Sequence, residues 1–336
     1  MPPSPSSPLV GAIEAGGTKF LCAVGSGPAA GLLARKHFQT GDDPRALLLE
    51  VCDWLLQQEQ QHGRLAALGI AAFGPLDLDE SSPGYGRITT TPKAAWRNTD
   101  LLSPLRRAFR NRPIALDTDV NGAALGEQRF GAARGLDDFL YVTVGTGIGG
   151  GGMAHGRLLR GLTHPEMGHI SMPRSAGDEF EGACPFHGRC WEGLCSGPAI
   201  AQQAGAPADQ LPADHPIWPR TMRSMAHALA TLTCVLSPRR ILLGGSVRKA
   251  GGLGEAAFFR GVRGELREVL QGYIQHPALE PEGLESFLQP PALGDDAGLV
   301  GALALAQAAL ESAALAQAAH ASGSPAPSKP HGSSRS

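Results

Sequence analysis

Apolar residues in this chain cluster in short dense runs, divided by connectors rich in Gly, Pro and Thr. "LVGAIEAGG" predicts a buried strand from Leu9, closed by a glycine turn, and "TKFLCAVG" predicts its returning partner. "DDPRALLLEVCDWLLQQEQQ" has helical spacing, with Asp42 and Asp43 as start signals and Pro44 at an early helical position. "LAALGIAAFGPL" predicts a buried strand, residues Asp77–Thr99 a loop, and "LLSPLRRAFR" a helix. "RPIALDTDV" predicts a further strand that runs into a helix at "NGAALGEQRF". At "FLYVTVGTGIGGGGMAHGRLL" the opening pattern of strand, Gly/Thr turn and strand returns, and "RRILLGGSV" adds one more strand ending in glycines. Strands alternating with helices predict an α/β architecture in two halves of similar design.

Composition narrows the class. The chain has 336 residues, about two domains' worth, with 42% apolar and 18% charged residues, as in ordinary soluble globular proteins. A net charge of −2 supplies no basic field for nucleic acid or anionic membrane. "MPPSPSSP" lacks the features of a signal peptide, and residues 320–336 form a Ser/Pro/Gly tail; both ends are expected to be disordered. "ALALAQAALESAALAQAAH" is strongly helical by propensity, and Gln307, Glu311 and Gln317 interrupt it, against a membrane span. Of the six cysteines, Cys22, Cys52, Cys195 and Cys234 stand singly, so no disulfide framework is expected and the cytoplasm is the predicted compartment.

The glycine turns are the first candidate chemistry. "GTGIGG" formally matches a dinucleotide fingerprint, but no helix starts within it. No P-loop pattern occurs either; Lys19 follows Thr18 in "GGTK". Two hairpin turns whose backbone N–H groups, with Thr18, Thr143 and Thr146, cradle phosphates fit better, a nucleotide lying between the halves. "CPFHGRC" is the second. Cys184, His187 and Cys190 are three ligands suited to tetrahedral zinc, leaving open whether the fourth position is protein or water. Asp119, between a strand and a helix, suits either a catalytic base at a cleft or a helix N-cap.

"IEAGGTK", "DTDVNGAALGE", "VTVGTGIGGG", "HPEMGH", "CPFHGRCWEG" and "ILLGGSV" occur in the order seen in ROK sugar kinases, and the chain resembles that family from about Val10 to Gly301. "TTTPKAAW", "DTDVNG" and "CPFHG" resemble its bacterial fructokinase branch. The resemblance implies an actin/hexokinase-like (ribonuclease H-like) α/β fold of two domains around an active-site cleft. It implies a small domain of residues 9–118 plus about 297–319, and a larger one of residues 119–296 with the zinc loop.

It further implies Asp119 as general base for ATP-dependent phosphorylation of fructose to fructose 6-phosphate. Glu14, where most of the family has Asp, would place hydrated Mg²⁺, with Gly16, Gly17, Thr18 and Lys19 at the phosphoryl end. Gly145, Thr146 and Gly147 would hold the other phosphates, Gly244 and Gly245 the adenosine. Glu166, His169 and Glu192 resemble sugar-hydroxyl ligands. Thr118 replaces an Asn that many glucose and N-acetylhexosamine kinases carry, which agrees with fructose. His169, with His164 as nearby competitor, would close the metal shell of Cys184, His187 and Cys190, making zinc structural. Another hexose, or sugar binding without catalysis, are the alternatives. A ROK repressor is not expected, since about ten residues precede the first strand–turn unit. The implied partners are the hexose, ATP and a second copy in a homodimer.

Overall fold

The computed structural model describes residues 8–28, 31–174 and 177–321; apart from Pro8, His320 and Ala321, the two ends expected to be disordered lie outside them. Strands β1 (Val10–Ala15), β2 (Lys19–Gly25) and β3 (Leu32–Gln39) form an antiparallel meander. Helix α1 (Pro44–His62) crosses to β4 (Ala67–Ala72), parallel to β1; α2 (Leu102–Ala108) then leads to β5 (Ile114–Thr118), parallel to β4. Asp43 caps α1 by accepting from Ala46 N at 3.0 Å, as the sequence suggests. β3 escapes the sequence pattern because it is an edge strand with a single buried residue, Phe38.

Helix α3 (Asp119–Phe130) leads to a second sheet of the same design. There β6 (Phe139–Val144), β7 (Ile148–Ala154) and β8 (Arg157–Leu158) form the meander. After α4 (Trp191–Cys195), α5 (Gly197–Ala204) and α6 (Ile217–Leu236) comes β9 (Ile241–Gly244), parallel to β6. Helices α7 (Glu255–Leu270) and α8 (Leu284–Phe287) precede β10 (Leu288–Gln289), and α9 (Ala297–Ala321) ends the described chain. The strand orders β3-β2-β1-β4-β5 and β8-β7-β6-β9-β10 are equivalent. This is the expected α/β architecture, and the first hairpin of each sheet turns through three residues, 16–18 and 145–147.

Each sheet has a core on its outer face, one closed by α1 and α2, the other by α6 and α7. A third core, built from Ala12, Ala23, Ala71, Val120, Ala124, Phe139, Tyr141, Leu303 and their neighbours, lies between the sheets and contains α3 and α9. Helix α9 is long and apolar enough by composition to cross a bilayer, but it packs on β1, β4, β5 and α3 as a core helix. The contact between α3 and α9 is backbone against backbone. A Cβ added at Gly301 would stand 2.1 Å from the Gly122 carbonyl oxygen, and one at Gly69 of β4 only 1.9 Å from that of Ala302.

Gly301→Val should therefore lower unfolding stability by on the order of 3 kcal/mol in denaturant titration, because neither backbone can yield. Gly264→Ala, on α7 with open space around its Cβ position, should be neutral or stabilising. Equal midpoints for the two variants would refute the tight crossing.

Candidate active site

The two hairpin turns and the start of α3 converge on one cavity of about 530 Å³, within the usual range for small-molecule sites. Gly17 and Thr18 line it from the first turn; Gly145, Thr146 and Gly147 line it from the second. Of the other expected residues, Thr118, Asp119, Thr143, Glu166, His169 and Glu192 line it as well. A smaller recess of about 190 Å³ shares Asp119, Val120 and Thr143 with it and is lined further by Glu14, Tyr141, Gly245 and Asp295. Asp119 thus stands where the two spaces meet.

Three expected residues line neither space. Gly16 holds its turn, donating N–H to the Lys19 carbonyl (3.0 Å) and accepting from the Thr40 hydroxyl (2.8 Å). Lys19 is exposed at the start of β2, although its charge still reaches Glu14. Gly244 lies against the Tyr141 hydroxyl, which an added Cβ would approach to 2.8 Å.

Thr118, not Asp119, caps α3: its side chain accepts from Asn121 N at 3.2 Å. Asp119 is the first helical residue, and its Oδ1 accepts from Val120 N at 2.9 Å. Burial raises its pKa to about 6, opposed by the Val120 N–H. Below it lies a network that the sequence analysis does not reach. Asp117 is fully buried, pairs with Arg160 at 2.6 Å, and accepts from Thr118 N and Asn121 Nδ2. Asn121 also donates to the Leu159 carbonyl (3.1 Å) and accepts from Gly152 N (3.2 Å), so the Asp119 backbone is held from both sheets. A carboxylate in a buried strand demands a partner, which is the one signal the sequence carries; it does not say which residue.

The site is crowded with acid. Glu166 is raised to about 7, mainly by burial and then by the Glu192 and Asp119 charges. Glu14 is raised to about 7 by burial and by Asp119, with Lys19 and Arg35 opposing. Glu192 is partly committed, one oxygen accepting from Ile148 N at 2.8 Å and so anchoring the second turn. Such a set can accept hydrogen bonds from vicinal hydroxyls, take up a proton, or hold a hard cation.

His169, Cys184, His187 and Cys190 place one ligand atom each within 4.8 Å of one another. Cys184 Sγ is 3.8 Å from His169 Nδ1 and 3.7 Å from His187 Nδ1; Cys190 Sγ is 3.5 Å from His169 Nδ1. A tetrahedral ion with bonds of about 2.0–2.3 Å separates its ligand atoms by roughly 3.3–3.8 Å, so the donor set fits one. The competitor His164 is occupied elsewhere: buried, it accepts from Leu76 N through Nε2 at 3.0 Å. Cys190 also caps α4, which carries Glu192 two residues on. Pro185 and Phe186, at the tip of this knuckle, line the cavity.

Comparison with known proteins gives the chain's family and its fold relatives. The model of the ROK family matches residues 10–309. The chain is 41% identical over 304 residues to a fructokinase of Zymomonas mobilis, covering 90% of this chain and 97% of that protein. It superposes on a ROK hexokinase from Thermus thermophilus with a TM-score of 0.70 and 27% identity, over 90% of this chain and 99% of that one. A ROK family glucokinase from Streptomyces griseus, solved with glucose and AMPPNP, gives 0.66 and 25%, over 89% and 99%.

The raised pKa of Asp119 has its own signature in stability. A carboxyl that titrates near 6 when folded, against an ordinary 3.8, binds its proton more tightly in the folded state. The contribution of Asp119 to wild-type stability therefore falls as pH rises from about 4 to 6 and stays low above that. Asp119→Asn should melt several degrees higher than wild type at pH 8, with the gap closing by pH 4. Parallel melting curves at both pH values would contradict the assigned burial.

Proposed function

The chain belongs to the ROK family, and on that premise we propose that it is a fructokinase, transferring the γ-phosphoryl group of ATP to fructose to give fructose 6-phosphate. The position of Asp119 carries this reading: it stands at the junction of a carboxylate-lined cavity and a recess, between two glycine-rich turns. With a pKa of about 6 it is largely ionised at neutral pH yet close enough to neutrality to accept a proton well.

In the proposed reaction Asp119 takes the proton of the 6-hydroxyl as that oxygen attacks the γ-phosphorus. The β–γ bridging bond breaks and ADP departs. The turns at 16–18 and 145–147 hold phosphate oxygens through N–H groups and threonine hydroxyls, while Gly245 borders the adenosine. Glu14 would hold hydrated Mg²⁺, which neutralises phosphate charge. Glu166 and Glu192 accept from sugar hydroxyls, and Thr118, whose oxygen already accepts from Asn121 N, donates its proton to one. With Nδ1 turned to the metal cluster, His169 keeps a proton on Nε2 to donate into the cavity.

The cluster's two thiolates and two imidazoles suit zinc, and a shell closed by four side chains makes that zinc structural. It would secure the helix start that carries Glu192. The likeness to the glucose-bound glucokinase supports a second reading, a ROK kinase for another hexose. We further infer a cytoplasmic homodimer, which light scattering at twice the 34.9 kDa chain mass would support.

A coupled assay across fructose, mannose, glucose and N-acetylglucosamine should give the highest kcat/KM for fructose; preference for another hexose would refute the sugar and leave the kinase standing. Asp119→Asn should lower kcat by about 10³-fold or more while sugar binding measured by calorimetry persists. In wild type, kcat/KM should fall about tenfold per pH unit below pH 6, the base being lost to protonation. Chelation should lower Tm and raise the sugar KM more than the ATP KM. Metal-free protein that keeps both would show that zinc does not support the sugar site.

A further inference from the structure

The stretch Thr89–Trp96 has no part in the reaction as described, yet it forms one wall of the cavity through Thr90, Thr91, Pro92 and Lys93. This wall is rigidly held. Trp96 is fully buried against Phe20 and Phe73 and donates Nε1–H to the Gly41 carbonyl at 2.9 Å. Arg97 Nε donates to the Thr91 carbonyl at 2.9 Å.

Lys93 is half-buried in that wall, and its Cε passes 3.8 Å from the Cβ position at Gly17, in the middle of the first phosphate turn. Its ammonium group is one bond further on. Among the described residues no carboxylate pairs with it, whereas Lys36 pairs with Glu50 and Lys249 with Asp295. The cavity lining holds Asp119, Glu166 and Glu192, with Lys93 as its single Lys or Arg.

We propose that Lys93 is a further catalytic residue, whose ammonium group binds the phosphoryl group as it passes from ATP to the sugar. The inference rests on the kinase reading. A hexose is neutral and is already served by carboxylates, whereas the transferring group spreads negative charge over three equatorial oxygens. The glycine turns offer neutral N–H donors, and beside the Mg²⁺ that Glu14 would hold, Lys93 is the one full positive charge that the cavity lining brings to the phosphoryl group. Lys93 keeps its proton throughout. The new P–O bond forms to the sugar oxygen, the β–γ P–O bond breaks, the hydroxyl proton goes to Asp119, and ADP carries away the bonding pair.

Lys93→Met and Lys93→Arg test this against wild type. For the best hexose substrate, Lys93→Met should lose about 10²-fold or more in kcat with the hexose KM changed less than about threefold, and Lys93→Arg should recover part of the loss. By calorimetry Lys93→Met should bind AMPPNP about tenfold more weakly and ADP unchanged, since only the former has a γ-phosphoryl group. Unchanged hexose affinity and an unchanged melting curve confirm that the variant is folded. A kcat near wild type, or a defect confined to the hexose KM, overturns the assignment and makes Lys93 a bystander or a sugar ligand. If wild type phosphorylates no hexose, the functional reading fails on its own, and the AMPPNP and ADP comparison still decides whether Lys93 holds a γ-phosphate.

Discussion

The site depends on how closely two helices cross. At Gly126 of α3 and Gly301 of α9 no side chain separates the two helix backbones, and Gly69 lets β4 come equally near to α9. Van der Waals contact at that distance is dense and cannot be restored once a methyl group intervenes. Two consequences follow for the chemistry. Helix α3 carries Asp119 at its first residue, and Gly298 of α9 lies against the Glu14 carboxyl, where an added Cβ would stand 2.5 Å from Oε1. The same crossing that joins the sheets brings Asp119 close enough to Glu14 to raise the cost of ionising Glu14.

That cost is an investment of fold stability in function. Burial makes ionisation costly for Glu14, Asp119 and Glu166 alike, and the one ammonium group that lines the larger cavity is at the turn of residues 16–18. Relief has to come from outside, as hydroxyl protons, a hydrated cation, or a proton taken from the acceptor. Binding and reaction therefore act on groups already held in an unfavourable state, which is a way of placing reactivity without flexibility.

Most of the framework was legible in the chain. The repeated strand–turn–strand units announced two halves of one design, and the structure shows two sheets of identical strand order. The four residues expected to bind metal, separated in sequence by as much as His169 is from Cys190, come together in one cluster. What the sequence hid was of two kinds. β3 exposes most of its residues, so it leaves almost no hydrophobic trace. Asp117, Asn121, Arg160 and Lys93 matter through partners or neighbours far along the chain, and spacing alone does not identify those. The cap of α3 was a local ambiguity: Thr118 and Asp119 are both good capping residues, and the backbone placed the extended conformation at Thr118.

Asn121 and Asp117 tie the start of α3 to β5 on one side and to β7 and the Leu159 carbonyl on the other. Mechanically, the backbone at Asp119 is thus pinned to both sheets at once, whereas the turn at 16–18 belongs to the first sheet and the turn at 145–147 to the second. On the proposed reading the proton acceptor therefore has one fixed address, and the alignment of base and hydroxyl is decided by where the sugar lies against it.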